Sequence, residues 1–586
     1  MNARKGASLV DLIISLGIIA LLFGGIVLVY FALTDAVRNV EARSAAAAVL
    51  ANQVEVIRNL PYASVGTQGG IPPGIIPPQQ AAALAGFAFS MDTVIRYIDD
   101  PFDGTLGGSP NDTNPADYKI VDIRIRCTTC PSFTPLAYVT TVTPRGLENS
   151  SSTGSLFVNV FDAAGASISG ASVHIVNASV TPSIDLTDTT NASGVLQFVG
   201  VPTSTQSYQV QAGKTGYSSD RNYRPGDPAN PNPLNPYATV AAQTVTNVSF
   251  VIDRVSRINV NTSGNTCAAQ GSQGFTISGA KLIGVNPDVL KYSTSSATGG
   301  TGEITLQNIE WDNYSFSLTG ASFDLAGTIP LTPVTVNPSS TASVRLIVQP
   351  ADTPSLLLTV KDAVSGAGIT GANVHLSAPG FSETLITGHA TISETDWPAG
   401  GFSGASEEID TASTPGSITL RANASSTYAT STPNWLTSNT IDLGGSASSL
   451  YRLSWSPVSQ PAPAGSESVK VQLAANNDNA TWNFIGPDGT SGTYYTNPSS
   501  TIVGLNGNRY LRYKVFLSTE SDAVTPRFDS VTFEFNSVCV PQFQVLFSGL
   551  SPDTYLATVA AAGYAQGTSS IAVVSGSEQA SVLLAP

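Results

Sequence analysis

The feature that most constrains this chain is an uncharged, apolar run near its N-terminus. The run extends from Leu12 to Leu33 and has no Asp, Glu, Lys or Arg in its 22 residues. A helix of that length rises about 33 Å, enough to cross a bilayer core about 30 Å thick. Arg4 and Lys5 precede the run, and basic residues hold the flank that they occupy on the cytoplasmic side. The sequence therefore predicts a membrane-spanning helix that begins at the cytoplasmic face.

The small residue Gly6 lies before this run, whereas a secretory signal carries its cleavage site after its apolar segment. Cleavage after Gly6 would leave the helix on the mature protein and create a free amine on Ala7. Asp11 lies four residues further on, and a carboxylate at the start of a membrane helix is costly without a partner. In staggered parallel helices, the Asp11 carboxylate of one chain can neutralise the amine of its neighbour. We therefore expect Asp11 to carry the charge used in assembly.

These residues resemble the N-terminal signal of type IV pilins and pseudopilins. The match covers the basic leader of residues 1–6 and the segment from Ala7 to Leu16. It departs from the family at Ala7, where an aromatic residue is usual, and at Asp11, where glutamate is usual. The resemblance implies that a prepilin peptidase cleaves after Gly6, that Ala7 is N-methylated, and that other pilin-like subunits contact the helix. The alternative is an ordinary signal anchor.

The composition indicates several extracellular β-domains. The chain has 586 residues, too many for one core, and only 11% of them are charged. Such a composition, rich in small and β-branched residues, is typical of β-sandwiches joined by tight turns. The net charge of −15 argues against a nucleic-acid partner. The predicted fold class is α+β: a long N-terminal transmembrane or pilin helix with a small β-sheet head, followed by tandem all-β sandwiches.

The helix is predicted over residues 7–60, because an apolar stripe continues from Val37 to Ile57 and Pro61 ends it. A small β head is predicted over residues 61–145. Within it, residues 61–85 are expected to form a surface loop. Alternating patterns predict three strands, at Phe87–Ile98, Tyr118–Cys127 and Leu136–Val142.

The head also contains the only cysteine pair at a metal-like or redox-like spacing, Cys127 and Cys130. Zinc would need a second pair, and a thioredoxin site would need a βαβ setting, so a local disulfide is favoured. The acidic segment 99–104 is expected to be a solvated turn rather than a calcium loop. No metal site or cofactor is predicted. The sequence leaves open whether Cys267 and Cys539 pair.

Beyond a flexible linker, a degenerate repeat runs to the C-terminus. A short apolar signature leads to a tyrosine three times, at Tyr208, Tyr314 and Tyr555, and a closing strand follows each one. The pattern resembles carboxypeptidase regulatory-like, or transthyretin-like, modules, which implies seven-stranded sandwiches without a peptidase site. The repeats are placed at 155–254, at 255–350, and at 355–389 together with 537–586.

The third repeat is split by residues 390–536, which are predicted to form an inserted jelly-roll-like sandwich. Its strands are expected at residues 416–422, 450–455, 469–474, 482–485, 511–518 and 531–535. Four aromatic residues of this segment are candidates for stacking on a sugar ring: Trp397, Trp435, Tyr494 and Tyr495. The alternative is that these side chains fill the core.

The function expected from these features is non-enzymatic: a minor pilin-like surface subunit that displays sandwiches for adhesion or for assembly of a pilus or secretion filament. It would be a single-pass membrane protein before assembly and lie on the cell surface or in an extracellular filament afterwards. Its expected partners are prepilin peptidase, other pilin-like subunits and the membrane, and a surface glycan is a further candidate. The alternative is a glycan-active or glycan-binding surface protein with a simple N-terminal anchor. For hydrolysis, the nearest carboxylate cluster is Glu407, Glu408 and Asp410.

Overall fold

The computed structural model describes residues 9–105, 108–112, 114–130, 133–144, 152–430, 433–446 and 448–586, with side chains from Leu16 onward. It confirms the predicted fold class, because one long helix is followed by β-sheets almost to the C-terminus. The chain divides into two compact units. The first contains Met1–Arg254 and Leu282–Val289, and the second contains Val255–Lys281 and Leu290–Pro586.

Helix α1 (Leu9–Arg58) and a four-stranded antiparallel sheet form the head. The strands, in spatial order, are β1 (Gln79–Leu84), β2 (Phe87–Ile98), β3 (Tyr118–Cys127) and β4 (Leu136–Val142). Leu50, Val54 and Ile57 of the helix are buried in one cluster with Ile95 and Val121 of the sheet. The expected loop over residues 61–85 is wrong at its end, because residues 79–84 form β1.

The first sandwich, residues 154–254, consists of two sheets that share one hydrophobic core. Its first strand β5 (Gly154–Phe161) pairs in parallel with its last strand β12 (Val245–Val251), with Ser155 opposite Val245 and Phe161 opposite Val251. The strands are β5 (Gly154–Phe161), β6 (Ser172–Asn177), β7 (Ile184–Thr189), β8 (Val195–Val201), β9 (Ser204–Gly213), β10 (Ser219–Arg221), β11 (Ala238–Val240) and β12 (Val245–Val251).

The second sandwich, residues 256–350, repeats this closure, since β13 (Ser256–Ser263) pairs in parallel with β22 (Thr341–Pro350). A short hairpin of β15 (Leu282–Gly284) and β16 (Val289–Leu290) includes residues 282–289 of the first unit, where Leu234 N donates to Ile283 O at 3.0 Å. The strands are β13 (Ser256–Ser263), β14 (Gly274–Gly279), β15 (Leu282–Gly284), β16 (Val289–Leu290), β17 (Ser293–Ala297), β18 (Glu303–Ile309), β19 (Asp312–Leu318), β20 (Phe323–Ile329), β21 (Val334–Val336) and β22 (Thr341–Pro350).

The third sandwich begins with β23 (Ser355–Asp362), β24 (Asn373–Ala378) and β25 (Phe381–Ile386). The inserted sandwich, residues 390–536, then interrupts it. The inserted strands are β26 (Ala390–Glu394), β27 (Phe402–Ala405), β28 (Ile409–Asp410), β29 (Ile418–Leu420), β30 (Asn434–Ser438), β31 (Ile441–Asp442), β32 (Ser449–Ser456), β33 (Val469–Asn476), β34 (Ser499–Thr501), β35 (Tyr510–Leu517), β36 (Arg527–Phe528) and β37 (Ser530–Asn536).

The inserted sandwich has its own core. One sheet has the order β26-β37-β32-β34, and the other has β27-β30-β35, with β31 and β33 also paired to β35. Trp397, Trp455, Tyr513 and Phe528 are buried together between them. The chain then returns to the third sandwich with β38 (Gln544–Phe547), β39 (Asp553–Ala560), β40 (Gly567–Val573) and β41 (Ser577–Leu584). Strand β23 pairs with β38 and, in parallel, with β41. The boundaries 390 and 536 remain a prediction.

The three repeated tyrosines have one structural role. Each side chain is buried, and each hydroxyl donates to a backbone carbonyl a few residues upstream. Tyr208 donates to Pro202 O at 2.5 Å, Tyr314 to Glu310 O at 2.8 Å, and Tyr555 to Ser551 O at 2.9 Å. A buried phenol needs such a partner, and the bond fixes the corner between two strands.

Candidate functional site

The helix exposes its apolar residues over its first half. Leu21 is 79% exposed, and the remaining large apolar side chains from Leu16 to Leu33 are also exposed. Within the part of the chain that the structure describes, this is the one helix long and apolar enough to span a bilayer. Apolar side chains on every face of a helix need lipid or neighbouring protein around them. The first half of α1 therefore has the length and the apolar surface that a membrane-spanning or packed helix requires.

The signal residues can be placed only in part. Gly6 and Ala7 lie outside the described residues, and Asp11 lies within α1 in a segment whose side chains are not described. Further along, Gly24 and Gly25 have open space around their Cα atoms. Open space at small residues permits another helix to approach closely.

Lys119 is a buried charged side chain with a structural role that the sequence did not reveal. It is only 1% exposed, and its Nζ donates to Tyr62 O at 2.8 Å and to Val65 O at 2.6 Å. The ammonium also lies 4.4 Å from the centroid of the Tyr62 ring. Burial lowers the pKa of Lys119 to about 8. Lys119 therefore fixes the turn that follows α1 to strand β3. The alternation along β3 places Lys119 on the same side as the buried Val121 and Ile123, which is the signal that could have found it. A lysine on a strand is normally solvated, and this general rule hid the signal.

Both cysteine pairs form disulfides. Cys127 and Cys130 close a short loop at the end of β3, and Cys267 of the second sandwich joins Cys539, which precedes β38. Gly444 of the inserted sandwich lies against this second bond, since a Cβ there would lie 2.9 Å from Cys267 Sγ. The bond therefore holds the second sandwich, the return segment and the inserted sandwich at one point.

The candidate sugar-stacking residues fall into two groups. Trp397 and Tyr495 are each 1% exposed, so the stacking hypothesis is wrong for these two residues. Trp397 Nε1 donates to Tyr513 Oη at 2.6 Å, and Tyr513 Oη donates to Glu394 Oε2 at 2.6 Å. Burial raises the pKa of Glu394, although the Tyr513 hydrogen bond opposes that shift. This hydrogen-bonded chain belongs to the core of the inserted sandwich.

Trp435 and Tyr494 lie instead on the outer side of the sheet around β35, and both are half-buried. Trp435 is the register partner of Phe516, and Tyr494 meets the Phe516 ring edge-on at 5.2 Å between centroids. Lys514 Nζ lies 4.0 Å from the Trp435 centroid. These two candidates therefore remain available for a ligand.

A cleft of about 800 Å³ lies within the second unit. Its charged side chains do not match those that glycoside hydrolysis requires. Among the described residues that line it, the one carboxylate is Glu534, bound by His389 at 2.8 Å. That hydrogen bond lowers the pKa of Glu534, and the His389 ring stacks on Tyr451 at 3.9 Å. A glycosidase needs two carboxyl groups across a cleft.

The predicted carboxylate cluster has a structural role at Asp410. Its Oδ1 accepts the backbone N–H of Ala412 at 2.9 Å and that of Ser413 at 3.0 Å, which shapes a turn. Among the described residues, no group of three or more His, Cys, Asp or Glu side chains could hold a metal ion.

Comparisons with known proteins identify no family. No family model matches the sequence, and no curated protein matches it. Among solved structures, the Bacillus anthracis TIE protein matches at 12% identity over 53% of this chain and 66% of its own, with a TM-score of 0.15. Shaft pilin spaA from Lactobacillus rhamnosus GG matches at 14% identity over 34% of this chain and 98% of its own, with a TM-score of 0.15.

GBS52, the minor pilin of Streptococcus agalactiae, matches at 12% identity over 34% of this chain and 98% of its own, with a TM-score of 0.19. The match to the TIE protein spans just under two thirds of that protein. At these identities and TM-scores, the similarities establish neither a family nor a function.

Proposed function

We propose that this protein is a non-enzymatic, pilin-like surface subunit, held in the membrane by α1 and displaying its sandwiches outside the cell. The observation that carries the proposal is the division of one continuous helix. From Leu16 to Leu33 the large apolar side chains of the helix are exposed, whereas its second half buries Leu50, Val54 and Ile57 against a small sheet. A helix of this kind joins a membrane or filament core to a globular head.

The disulfides support the orientation. All four cysteines are bonded, and such bonds persist in oxidising compartments outside the cytosol. Arg4 and Lys5 favour the cytoplasmic side for the opposite end of the helix. The two signals agree on one topology, with the N-terminus inside and the sandwiches outside.

The type IV mode of processing and assembly is the finer part of the proposal. A prepilin peptidase cleaves after Gly6, Ala7 is N-methylated, and Asp11 neutralises the new amine of a neighbouring subunit. The sequence order of Gly6, Ala7 and Asp11 supports this part. The second candidate function, a glycan-binding protein on a simple anchor, is favoured by Trp435 and Tyr494 on one outer sheet face.

Topology is tested with protease added to intact cells that express the full chain. We expect protease to remove the sandwiches and leave a membrane-bound N-terminal fragment that resists alkaline extraction. Replacement of Leu21 and Leu22 by Arg should abolish membrane retention, because each central charge costs about 3 kcal/mol on insertion scales. Replacement of the exposed head residues Val139 and Tyr138 by Arg is the control. Sandwiches that stay protected inside intact cells would contradict the proposal.

Assembly is tested separately with Asp11→Ala. This change removes a charge from the membrane segment, so insertion should be unharmed while incorporation into filaments falls. Asp35→Ala is the matched control, since Asp35 is a carboxylate of the same helix beyond the apolar run. Equal incorporation of the Asp11→Ala variant and the wild type would exclude charge pairing, and absence of the wild type from filaments would leave a simple membrane anchor.

A further inference from the structure

The outer side of the sheet around β35 combines aromatic rings with cations. We name it the aromatic–cationic face and define it by Trp435, Tyr494, Phe516, Lys470, Arg512 and Lys514. Residues of β35 alternate between buried and half-buried positions, so Arg512, Lys514 and Phe516 all point to this side. Trp435 of β30 and Lys470 of β33 are both register partners of Phe516. The register thus places a ring, a ring and a cation in one row across three strands.

The side chains of the face contact one another. Lys514 Nζ lies 4.0 Å from the centroid of Trp435 and 5.3 Å from that of Phe516. Lys470 Nζ lies 5.5 Å from the Tyr494 centroid, and the Arg512 guanidinium lies 4.4 Å from the centroid of Trp482. The backbone at Gly404 also lies beside Trp435, since a Cβ there would lie 3.6 Å from the ring. These contacts hold the rings and cations in fixed positions.

The charge of the face is opposite to that of the chain. The whole sequence carries a net charge of −15, yet the face presents three cations. Among the described residues, only Lys470 of the three has a carboxylate within ion-pair distance, Glu467 at 2.6 Å. Burial lowers the pKa of Lys514, which indicates that its ammonium lacks full hydration. An anionic group would restore that stabilisation.

We propose that the aromatic–cationic face binds an acidic polysaccharide, a glycan chain that carries carboxylate groups. Lys514 and Arg512 are two residues apart on β35, about 7 Å along the strand, and bind successive carboxylates. The apolar faces of the sugar rings lie against Trp435, Phe516 and Tyr494. The proposal rests on the proposed display outside the cell only for access to such a glycan.

The charge distribution favours this ligand over a nucleic acid. A nucleic-acid strand carries one charge about every 3.4 Å, so a chain with a net charge of −15 repels it more strongly than a polymer with one charge per sugar ring. A uronate chain has one carboxylate per sugar ring and has apolar ring faces between them. An acidic peptide would satisfy the cations but offers no comparable planar surface for the rings.

The test uses the purified full chain in detergent, so its result does not depend on membrane topology or filament assembly in cells. Binding is measured by isothermal titration with oligogalacturonate, a neutral dextran oligosaccharide, a single-stranded oligodeoxynucleotide and oligoglutamate of matched length. The variants are Lys514→Gln and Trp435→Leu. Lys214→Gln is the matched control, because Lys214 Nζ also lies near an aromatic ring, 5.3 Å from the Tyr217 centroid, but in the first sandwich.

We expect oligogalacturonate to bind best, and its affinity to fall with salt concentration. Lys514→Gln should weaken it about tenfold, as loss of one charged hydrogen bond does, while Lys214→Gln leaves it unchanged. Trp435→Leu should also weaken binding, and its melting temperature should equal that of the wild type, which excludes unfolding as the cause. Absence of oligogalacturonate binding, equal binding of dextran, oligonucleotide or oligoglutamate, or wild-type affinity in Lys514→Gln would each overturn the proposal.

Discussion

Cys267 and Cys539 are 272 positions apart in the sequence and are joined by a disulfide in the second unit. The bond connects the loop after β13 to the segment through which the chain returns from the inserted sandwich. Most of the second sandwich, half of the third and all of the inserted sandwich lie within the closed loop. Tension between the N-terminal helix and the C-terminus would bypass that loop.

The disulfide should limit how far the molecule extends under force. In single-molecule pulling from the two ends, the oxidised protein should lack the length of the closed loop, roughly 980 Å for 272 residues at full extension. A Cys539→Ser variant should release that length. In the chain-entropy account, loss of the bond also lowers the free energy of unfolding by about 5 kcal/mol. Equal extension of the two proteins would show that the bond is absent in solution.

Lys119→Met should destabilise the head. The change keeps the length of the side chain but leaves Val65 O without its buried donor and Tyr62 O with only the backbone N–H of Val65, a loss of about 2 kcal/mol. Hydrogen exchange of the backbone amides in residues 62–65 and β3 measures it. Lys214→Met is the control, since Lys214 is on the surface of the first sandwich. Unchanged protection in Lys119→Met would show that the two carbonyls find other donors.

The same residue predicts a dependence on pH. The pKa of Lys119 is about 8 when folded and returns to its ordinary value of 10.5 on unfolding. Between these values the unfolded chain binds the additional proton, so the stability of the head should rise with pH from about 8 to about 10.5. Lys119→Met should lack that rise. A wild-type head that loses stability relative to the variant over this interval would contradict the assignment.

Glu394→Gln should remove a pH dependence from the inserted sandwich. Because burial raises the pKa of Glu394, the folded state holds its proton more tightly, and stability should be highest at low pH and fall as pH rises through the folded pKa. Glutamine still accepts from Tyr513 Oη without a charge, so the variant should be more stable at pH 7 and lack that fall. Tryptophan fluorescence reports the unfolding, since four of the five tryptophans lie in this sandwich. A fall of equal size in the variant would assign it to another group.

The sequence predicts the strands whose own residues alternate between apolar and polar side chains. The three strands expected in the head, at Phe87–Ile98, Tyr118–Cys127 and Leu136–Val142, have these bounds in the structure. Strand β1 was not predicted, because its residues Gln-Gln-Ala-Ala-Ala-Leu are mostly exposed and have no alternation. It is a strand only because it pairs with β2. A strand that forms because it pairs with a neighbour has no signal in its own residues.

The inserted sandwich shows the same limit. Alternation located β32, β33, β35 and β37, but Trp482–Ile485 is not a strand, and only Ile485 bridges to Leu473. For the candidate sugar-stacking residues, the sequence could not separate buried from half-buried side chains. Trp397 lies in the connection between β26 and β27 and fills the core, whereas Trp435 lies on β30 and is half-buried. This difference depends on tertiary packing.

The most direct test of the account is the mass of the mature N-terminus, measured on full chain isolated from membranes. The account predicts a chain that begins at Ala7, increased in mass by one methyl group, and a Gly6→Leu variant that keeps residues 1–6. The variant should still insert, because the apolar run from Leu12 to Leu33 is unchanged. A wild-type chain that retains its leader, or one cleaved beyond Leu33, would contradict a pilin-like subunit held by its own N-terminal helix.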